Sequence, residues 1–280
     1  MSVVAALALV ATSHAAHQQF RLDQSVVRAD VSIFSDELIL GGVFGPTAVQ
    51  VTATHPRLFA RLAWSPRFAV EAELPIAVAS FDDTGTSRVG NLSFAFLGRT
   101  NLNPETLAEV GLGVAVPTAT ADTLVDPFAL QVATLMDGFD PRYRWALETV
   151  SVFVPIRFEF ASDDPLYFLL EGLPVVGFPT QSGRDVSAAL TARAAGGVRA
   201  RPVDFAVGFG ASLLLGDDFN AEGQLYVEPR VEVALPVGRH EAFVDASLRI
   251  HIDEPAGFSF DDGGVYRVKA GGGMRFDLIR

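Results

Sequence analysis

A strict two-residue alternation recurs along most of this chain, and it restricts the fold more than any other feature. In residues 239–253, RHEAFVDASLRIHID, every even position from Ala242 to Ile252 is apolar. The odd positions carry Arg239, Glu241, Asp245, Ser247, Arg249, His251 and Asp253, with Phe243 the one exception. Successive side chains of a strand point to opposite faces, so this segment has one hydrocarbon face and one mostly ionisable face. A helical period does not reproduce it.

The same pattern holds elsewhere. In 224–236 the apolar odd residues from Leu225 to Leu235 oppose Glu228, Arg230 and Glu232; in 266–278 an even apolar face opposes Arg267, Lys269, Arg275 and Asp277. Residues 68–78 set Phe68, Val70, Leu74 and Val78 against Glu71 and Glu73, and 186–200 set small and apolar even residues against Thr191, Arg193 and Arg199. Residues 203–215 repeat the alternation on an apolar odd face. Each segment matches the roughly 9–11 residues with which a tilted strand crosses a bilayer. Hydrophobic residues make up 49% of the chain, yet after Ala11 no apolar run approaches the ~20 residues of a membrane helix. High hydrophobicity dispersed in alternation predicts an all-β fold, a transmembrane antiparallel up-and-down β-barrel of about twelve strands, with ten and fourteen as alternatives.

The expected strands are 25–34, 47–64, 68–79, 88–98, 109–118, 142–160, 165–176, 186–200, 202–215, 222–236, 239–253 and 264–279. The middle is harder to phase: Glu148 falls on the apolar face of 142–160, 166–176 is continuously hydrophobic, and 119–141 reads as a loop, a short helix or two further strands. A parity change near His55-Pro56 suggests a bulge. Tight connections at 65–67, 201–202 and 237–239 alternate with longer ones at 79–88, 118–141, 177–185, 216–222 and 253–264, as short periplasmic turns and long outer loops require. Trp64 and Phe68 flank the Ser65-Pro66-Arg67 turn on the outward parity, where an interfacial aromatic girdle belongs, and Phe276 lies near the same edge.

Residues 1–15 read as an export signal, with an apolar core from Val3 to Ala11 and small residues at Ser13 and Ala15, although no Lys or Arg precedes the core. Residues 16–24 follow as an N-terminal periplasmic segment, and 25–280 as a single barrel. The formal charge of −12 opposes nucleic-acid binding. Acidic pairs such as Asp82-Asp83, Asp217-Asp218 and Asp261-Asp262 sit between apolar segments, as solvated turns or as sites for divalent-cation bridges to anionic lipid headgroups.

Nothing in the chain points to an enzyme. It has no Cys and no G-x-S-x-G element, its histidines lack metal-ligand spacing, and no cofactor motif is present. Gly196-Gly197 and Gly271-Gly272-Gly273 fit places where a strand bends or neighbours approach closely, rather than phosphate loops. His251 shares its face with Asp245, Arg249 and Asp253, which favours a histidine held in a charge network over a catalytic one.

The candidate lumen-lining residues come from five of the phased strands. Glu71 and Glu73 lie near the N-terminus and Arg193 and Arg199 in 186–200. Glu228, Arg230 and Glu232 lie in 222–236, Asp245, Arg249 and His251 in 239–253, and Arg267, Lys269 and Arg275 in 264–279. Arg157 and Glu159 share this inward parity. Both signs are present, so the interior is either a crosslinked ion-pair network or a polar pore whose selectivity comes from these rings. Eight strands are filled by side chains and sixteen enclose a channel, so twelve lie between.

The chain resembles Gram-negative outer-membrane barrels of the phenol-degradation or aromatic-compound transporter type. The likeness is carried by Trp64-Ser65-Pro66-Arg67-Phe68 running into Glu71-Ala72-Glu73-Leu74-Pro75, by Val89-Gly90-Asn91-Leu92-Ser93, by Gly111-Leu112-Gly113 to Pro117-Thr118, and by Gly271 to Leu278. Such barrels usually have Asp where this chain has Asn91, and many end on an aromatic residue read by the assembly machinery, where this chain ends Leu278-Ile279-Arg280. The resemblance implies a passive channel or transporter for small molecules, hydrophobic or aromatic ones among them, with outer-membrane lipids and that machinery as partners. Two readings compete with it: a non-transporting structural or adhesive membrane protein acting through its outer loops, and a soluble periplasmic barrel with its apolar face inside. The number of complete apolar faces exceeds what one small ligand cavity requires.

Overall fold

The computed structural model describes residues 22, 24–42, 45–81, 84–120, 130, 142–161, 165–182, 185–200, 202–215, 223–252, 259–260 and 266–276. The export signal falls outside them, as does most of 119–141.

Strand formation follows the alternation. The strands are β1 (Ser25–Gly42), β2 (Gly45–Ser65), β3 (Phe68–Phe81), β4 (Thr84–Val89), β5 (Leu92–Asn103), β6 (Thr106–Val116), β7 (Thr149–Phe153), β8 (Ile156–Ala161), β9 (Leu166–Pro179), β10 (Ser187–Ala200), β11 (Val203–Leu215), β12 (Gly223–Val237), β13 (His240–His251), β14 (Ser259–Phe260) and β15 (Tyr266–Phe276). They make twelve wall positions, because β4 with β5, β7 with β8, and β14 with β15 are single strands interrupted along their length. Each wall position pairs antiparallel with its chain neighbours, and β15 closes the ring on β1 from Ser25↔Phe276 to Ile33↔Val268. Closure satisfies the ladder hydrogen bonds internally, which a lipid environment demands because it offers no water to an exposed edge.

The faces fall as the parity predicts. On β13, Val244 is 62% exposed and Ala246 also faces out, whereas Phe243, Asp245, Ser247 and Arg249 are buried. On β11, Phe205, Val207 and Phe209 point outward while Asp204 and Ser212 point in. On β9, which could not be phased, Leu166, Phe168 and Phe178 face out, and the inward face is itself apolar at Leu173 and Val175. The outside is thus a hydrocarbon belt. At the 66–67 turn, Trp64, Phe68 and Phe96 form an exposed aromatic group with ring centroids 5.6–6.4 Å apart. His240 packs edge-on against Phe276 at 5.2 Å near the same rim.

Four expectations need correction. β2 carries no bulge at His55-Pro56: the β1–β2 register runs unbroken through Ser32↔His55 and Val31↔Pro56, and the irregularity lies at Ala63/Ser65 against β3. From Ala53 to Ser65 the odd residues of β2 face inward, and Ala53 among them, beside outward Thr52 and Thr54, imitates a phase change. Residues 142–160 are not one strand. A 3-10 turn at Arg142–Arg144 precedes β7, and Glu148 has φ 48°, so it terminates a turn instead of occupying the apolar face. The 79–88 connection shrinks to residues 82–83, because Thr84–Val89 continues the ladder opposite Ile76–Phe81. β1 likewise extends beyond 34 to Gly42, paired with β2 along its length. At Gly197, within one predicted glycine pair, an added Cβ would lie 2.5 Å from the Tyr167 ring, so close approach explains it.

Candidate functional site

The inside of the barrel is built in three parts. The first is a set of buried ion pairs at the end that holds the short turns. Arg61 on β2 bonds Glu71 on β3 at 2.7 Å and also pairs with Glu109 on β6. Arg157 on β8 reaches Glu71 at 2.6 Å, Glu109 at 2.9 Å and Glu171 on β9 at 3.5 Å. Arg193 on β10 meets Glu171 at 3.5 Å. The chain ahead of β1 comes in here: the Leu22 carbonyl accepts from Arg61 and, at 2.8 Å, from Arg99, and its N–H donates to Glu159 at 3.2 Å. Arg61, Glu71 and Glu109 are buried, which is tolerable only with such mutual pairing, whereas Arg157, Glu171 and Arg193 stay half-buried.

The second part is residues 143–146, ahead of β7, which lie inside the barrel. Asn91, at the break between β4 and β5, is fully buried. Its Nδ2 donates to the carbonyls of Tyr143 (2.9 Å) and Ala146 (2.7 Å), its Oδ1 accepts from Ala119 N–H (2.9 Å), and its own N–H donates to the Arg144 carbonyl (2.6 Å). Gly90 allows the approach: a Cβ there would sit 2.5 Å from the Arg144 oxygen and 2.9 Å from the Trp145 ring. Residues 143–145 then fill space inside. Tyr143 stacks on Phe153 at 4.2 Å and 6°, Arg144 bonds Glu73 at 2.9 Å, and Trp145 lies against His55 at 5.3 Å with Ala77, Ala119 and Leu130 around it.

The third part is a chamber of about 280 Å³ that these elements leave unfilled. On one side are Arg28 and Asp30 of β1, Arg57 of β2 and Lys269 of β15; on the other are Phe153, Leu173 and Arg193, with Tyr143, Arg144 and Trp145 intruding between. Asp30 is held by Arg57 at 2.6 Å, Arg28 at 2.9 Å and Lys269 at 3.6 Å.

Of the residues named from sequence, Glu71, Glu73, Arg157, Thr191, Arg193, Glu228, Arg249 and Lys269 line this chamber. Arg249 bonds Glu228 at 2.7 Å and stacks over Tyr226 at 3.9 Å. Arg230, Glu232, Asp245 and Arg275 form an adjoining inward network. In it Glu232 accepts from Arg230 at 2.8 Å and from Arg275 at 2.7 Å, and Asp245 pairs with Arg28 at 2.8 Å and Arg230 at 3.2 Å. Arg199 joins Glu159 and Asp204 and covers the Tyr167 ring. The side chains of His251 and Arg267 lie outside the described residues. Sequence reasoning missed Arg28, Asp30, Arg57, Arg61, Glu109, Arg144 and Trp145. Carrying the odd parity of Ala63 back through Arg61, Phe59 and Arg57 would have found the β2 members; no periodic signal marks residues 143–145. Among the described residues no group of three His, Asp or Glu side chains converges as a metal site.

A closed ring with hydrocarbon outside, ion pairs inside and an aromatic girdle defines a transmembrane β-barrel of the kind found in bacterial outer membranes. Known structures agree on the fold. An outer membrane channel from Pseudomonas putida F1 superposes with TM-score 0.59 at 12% identity, over 91% of this chain and 96% of that one. The NanC porin superposes with TM-score 0.51 at 7% identity, over 91% of this chain and 100% of that one. No family model matches the sequence, and no curated protein matches it.

Proposed function

We propose that this barrel is a passive outer-membrane channel for small molecules, hydrophobic or aromatic ones among them, and that the charged chamber lies on their path. The observation that carries this reading is unfilled space of about 280 Å³ inside a ring whose wall residues are both ionised and aromatic. A lumen serving only as a structural core would be packed to exclusion, as small barrels are. Glu71, Glu73, Arg193, Glu228, Arg249 and Lys269 would set selectivity by direct contact, with Arg230, Glu232, Asp245 and Arg275 fixing their geometry.

The alternative, a non-transporting barrel acting through its outer loops, draws on a different observation: Leu22, Arg61, Glu71, Glu109 and Arg157 crowd the short-turn end. Planar-bilayer recording separates the two. Folded protein should give discrete ion conductance, and liposomes containing it should swell in small solutes. Folded protein that neither conducts nor admits solute would establish the structural reading instead.

A further inference from the structure

We propose that the chamber is a binding site for a small organic anion with a planar apolar body, an aromatic carboxylate or sulfonate by chemical class. This rests on the channel reading and names the solute it would prefer.

The charge argument starts at Asp30, whose carboxylate is shared by Arg57, Arg28 and Lys269 at 2.6, 2.9 and 3.6 Å. One negative charge cannot neutralise three positive ones. The neighbouring carboxylates do not make up the difference. Glu73 lies 4.0 Å from Arg57 but is also bonded to Arg144, and Asp245 divides itself between Arg28 and Arg230. Among the described residues of this part of the chamber wall, four cations, Arg28, Arg57, Arg144 and Lys269, stand against Asp30, Glu73 and the Asp245 carboxylate that Arg28 shares with Arg230, which leaves an excess of positive charge. The side chains involved are 3–19% exposed, so water does not dissipate the excess as it would at a surface. An entering carboxylate would supply the missing negative charge and accept charge-assisted hydrogen bonds.

The shape argument comes from the rest of the lining. Tyr143, Phe153, Trp145, Phe59 and Leu173 present aromatic and aliphatic surface to the same space. A bare inorganic anion leaves that surface unused, and a neutral aromatic leaves the charge excess unused. An engineered cavity of about 150 Å³ accepts benzene, so about 280 Å³ has room for one ring bearing an acidic group.

The test uses folded full-length protein in detergent carrying Trp64→Phe, a change in the outer girdle that leaves Trp145 as the only tryptophan of the two in the chain. Trp145 fluorescence is titrated with benzoate, benzyl alcohol and acetate. Benzoate should bind at least tenfold more tightly than either of the others. Asp30→Asn removes the carboxylate that the three cations share, and should tighten benzoate binding several-fold. Lys269→Met should weaken it several-fold. A cluster with only a structural role predicts that both variants weaken binding or neither changes it, and that result overturns the proposal, as does equal affinity for benzoate and either control. If Asp30→Asn does not fold, Lys269→Met and the ligand comparison decide. Benzoate binding without conductance would keep the site and remove the channel, whereas conductance without binding would do the reverse.

Discussion

Asn91 has the geometry of an amide rather than a carboxylate. Its nitrogen donates to two carbonyls while its oxygen accepts from an N–H, a set that only an amide satisfies. Asn91→Asp keeps the shape but replaces two donors with an acceptor facing two carbonyl oxygens. Each lost hydrogen bond is worth about 1 kcal/mol, more when a buried group is left unpaired. The expected outcome is a barrel that still folds but releases residues 143–146 from the lumen, read as a several-fold rise in single-channel conductance. Unchanged conductance would mean that this segment does not narrow the path. On the outer face the controlling quantity is hydrocarbon exposure. Val244→Arg places a guanidinium in the lipid belt, at a cost of about 2–4 kcal/mol near the bilayer midplane. Ser247→Ala, inward and donating one hydrogen bond to the Glu228 carboxylate, should cost less, because Glu228 keeps its bond to Arg249. Urea midpoints of the two variants in lipid would show the difference, and equal midpoints would misplace the strand.

At the scale of elements, legibility depended on how differently the two faces were composed. β13 was readable because lipid contacts one face and ion pairs the other. β2 was not, because its inward face includes Ala53, Phe59 and Ala63 as well as Arg57 and Arg61. The small residues there make room for the inward connection: Ala63, Ala69, Ala95 and Ala115 pack in one cluster with Tyr143 and Phe153. Residues 142–148, with Tyr143, Trp145 and Leu147 among them, read in sequence as part of the strand that follows, even though Glu148 falls on its apolar face. Their apolar side chains face the packed part of the lumen instead of lipid, and a sequence pattern cannot say which of the two an apolar residue meets. The chamber was half visible for the same reason. Its C-terminal charges came from clean alternation, whereas Arg144 and Trp145 depend on the tertiary contact with Asn91. Glu109 illustrates what that packing costs to disturb, since Arg61 and Arg157 both bond to it. Glu109→Leu should destabilise the barrel by about 3–5 kcal/mol, the penalty of breaking a buried pair, measurable as a lower temperature of heat-modifiable gel migration.

Across the whole chain the charge is divided unevenly between strands and connections. The connections 82–83, 117–148, 180–186, 216–222 and 252–265, five of the six on the side of the long loops, hold 15 Asp and Glu against three Arg, a difference equal to the net charge of −12, although Arg144 among them turns into the chamber. With those carboxylates around the entrance, an anion approaching from that side would be repelled before it reached Arg28, Arg57 and Lys269 in the chamber. Raising salt, which shortens the screening length to about 10 Å at 0.1 M, should therefore speed anion entry from the loop side more than from the turn side in asymmetric bilayer recordings. Identical salt dependence from both sides would place the rim charges away from the path. The central claim is that one face of each strand meets lipid and the other meets a water-accessible lumen. Because the native chain has no cysteine, single-cysteine variants from Phe243 to Arg249, reconstituted in liposomes, report on it without background. A membrane-impermeant thiol reagent should modify positions 243, 245, 247 and 249 and spare 244, 246 and 248, while a lipid-dissolved quencher should reach only the second set. The opposite phase, or uniform reactivity at all seven positions, would contradict the account.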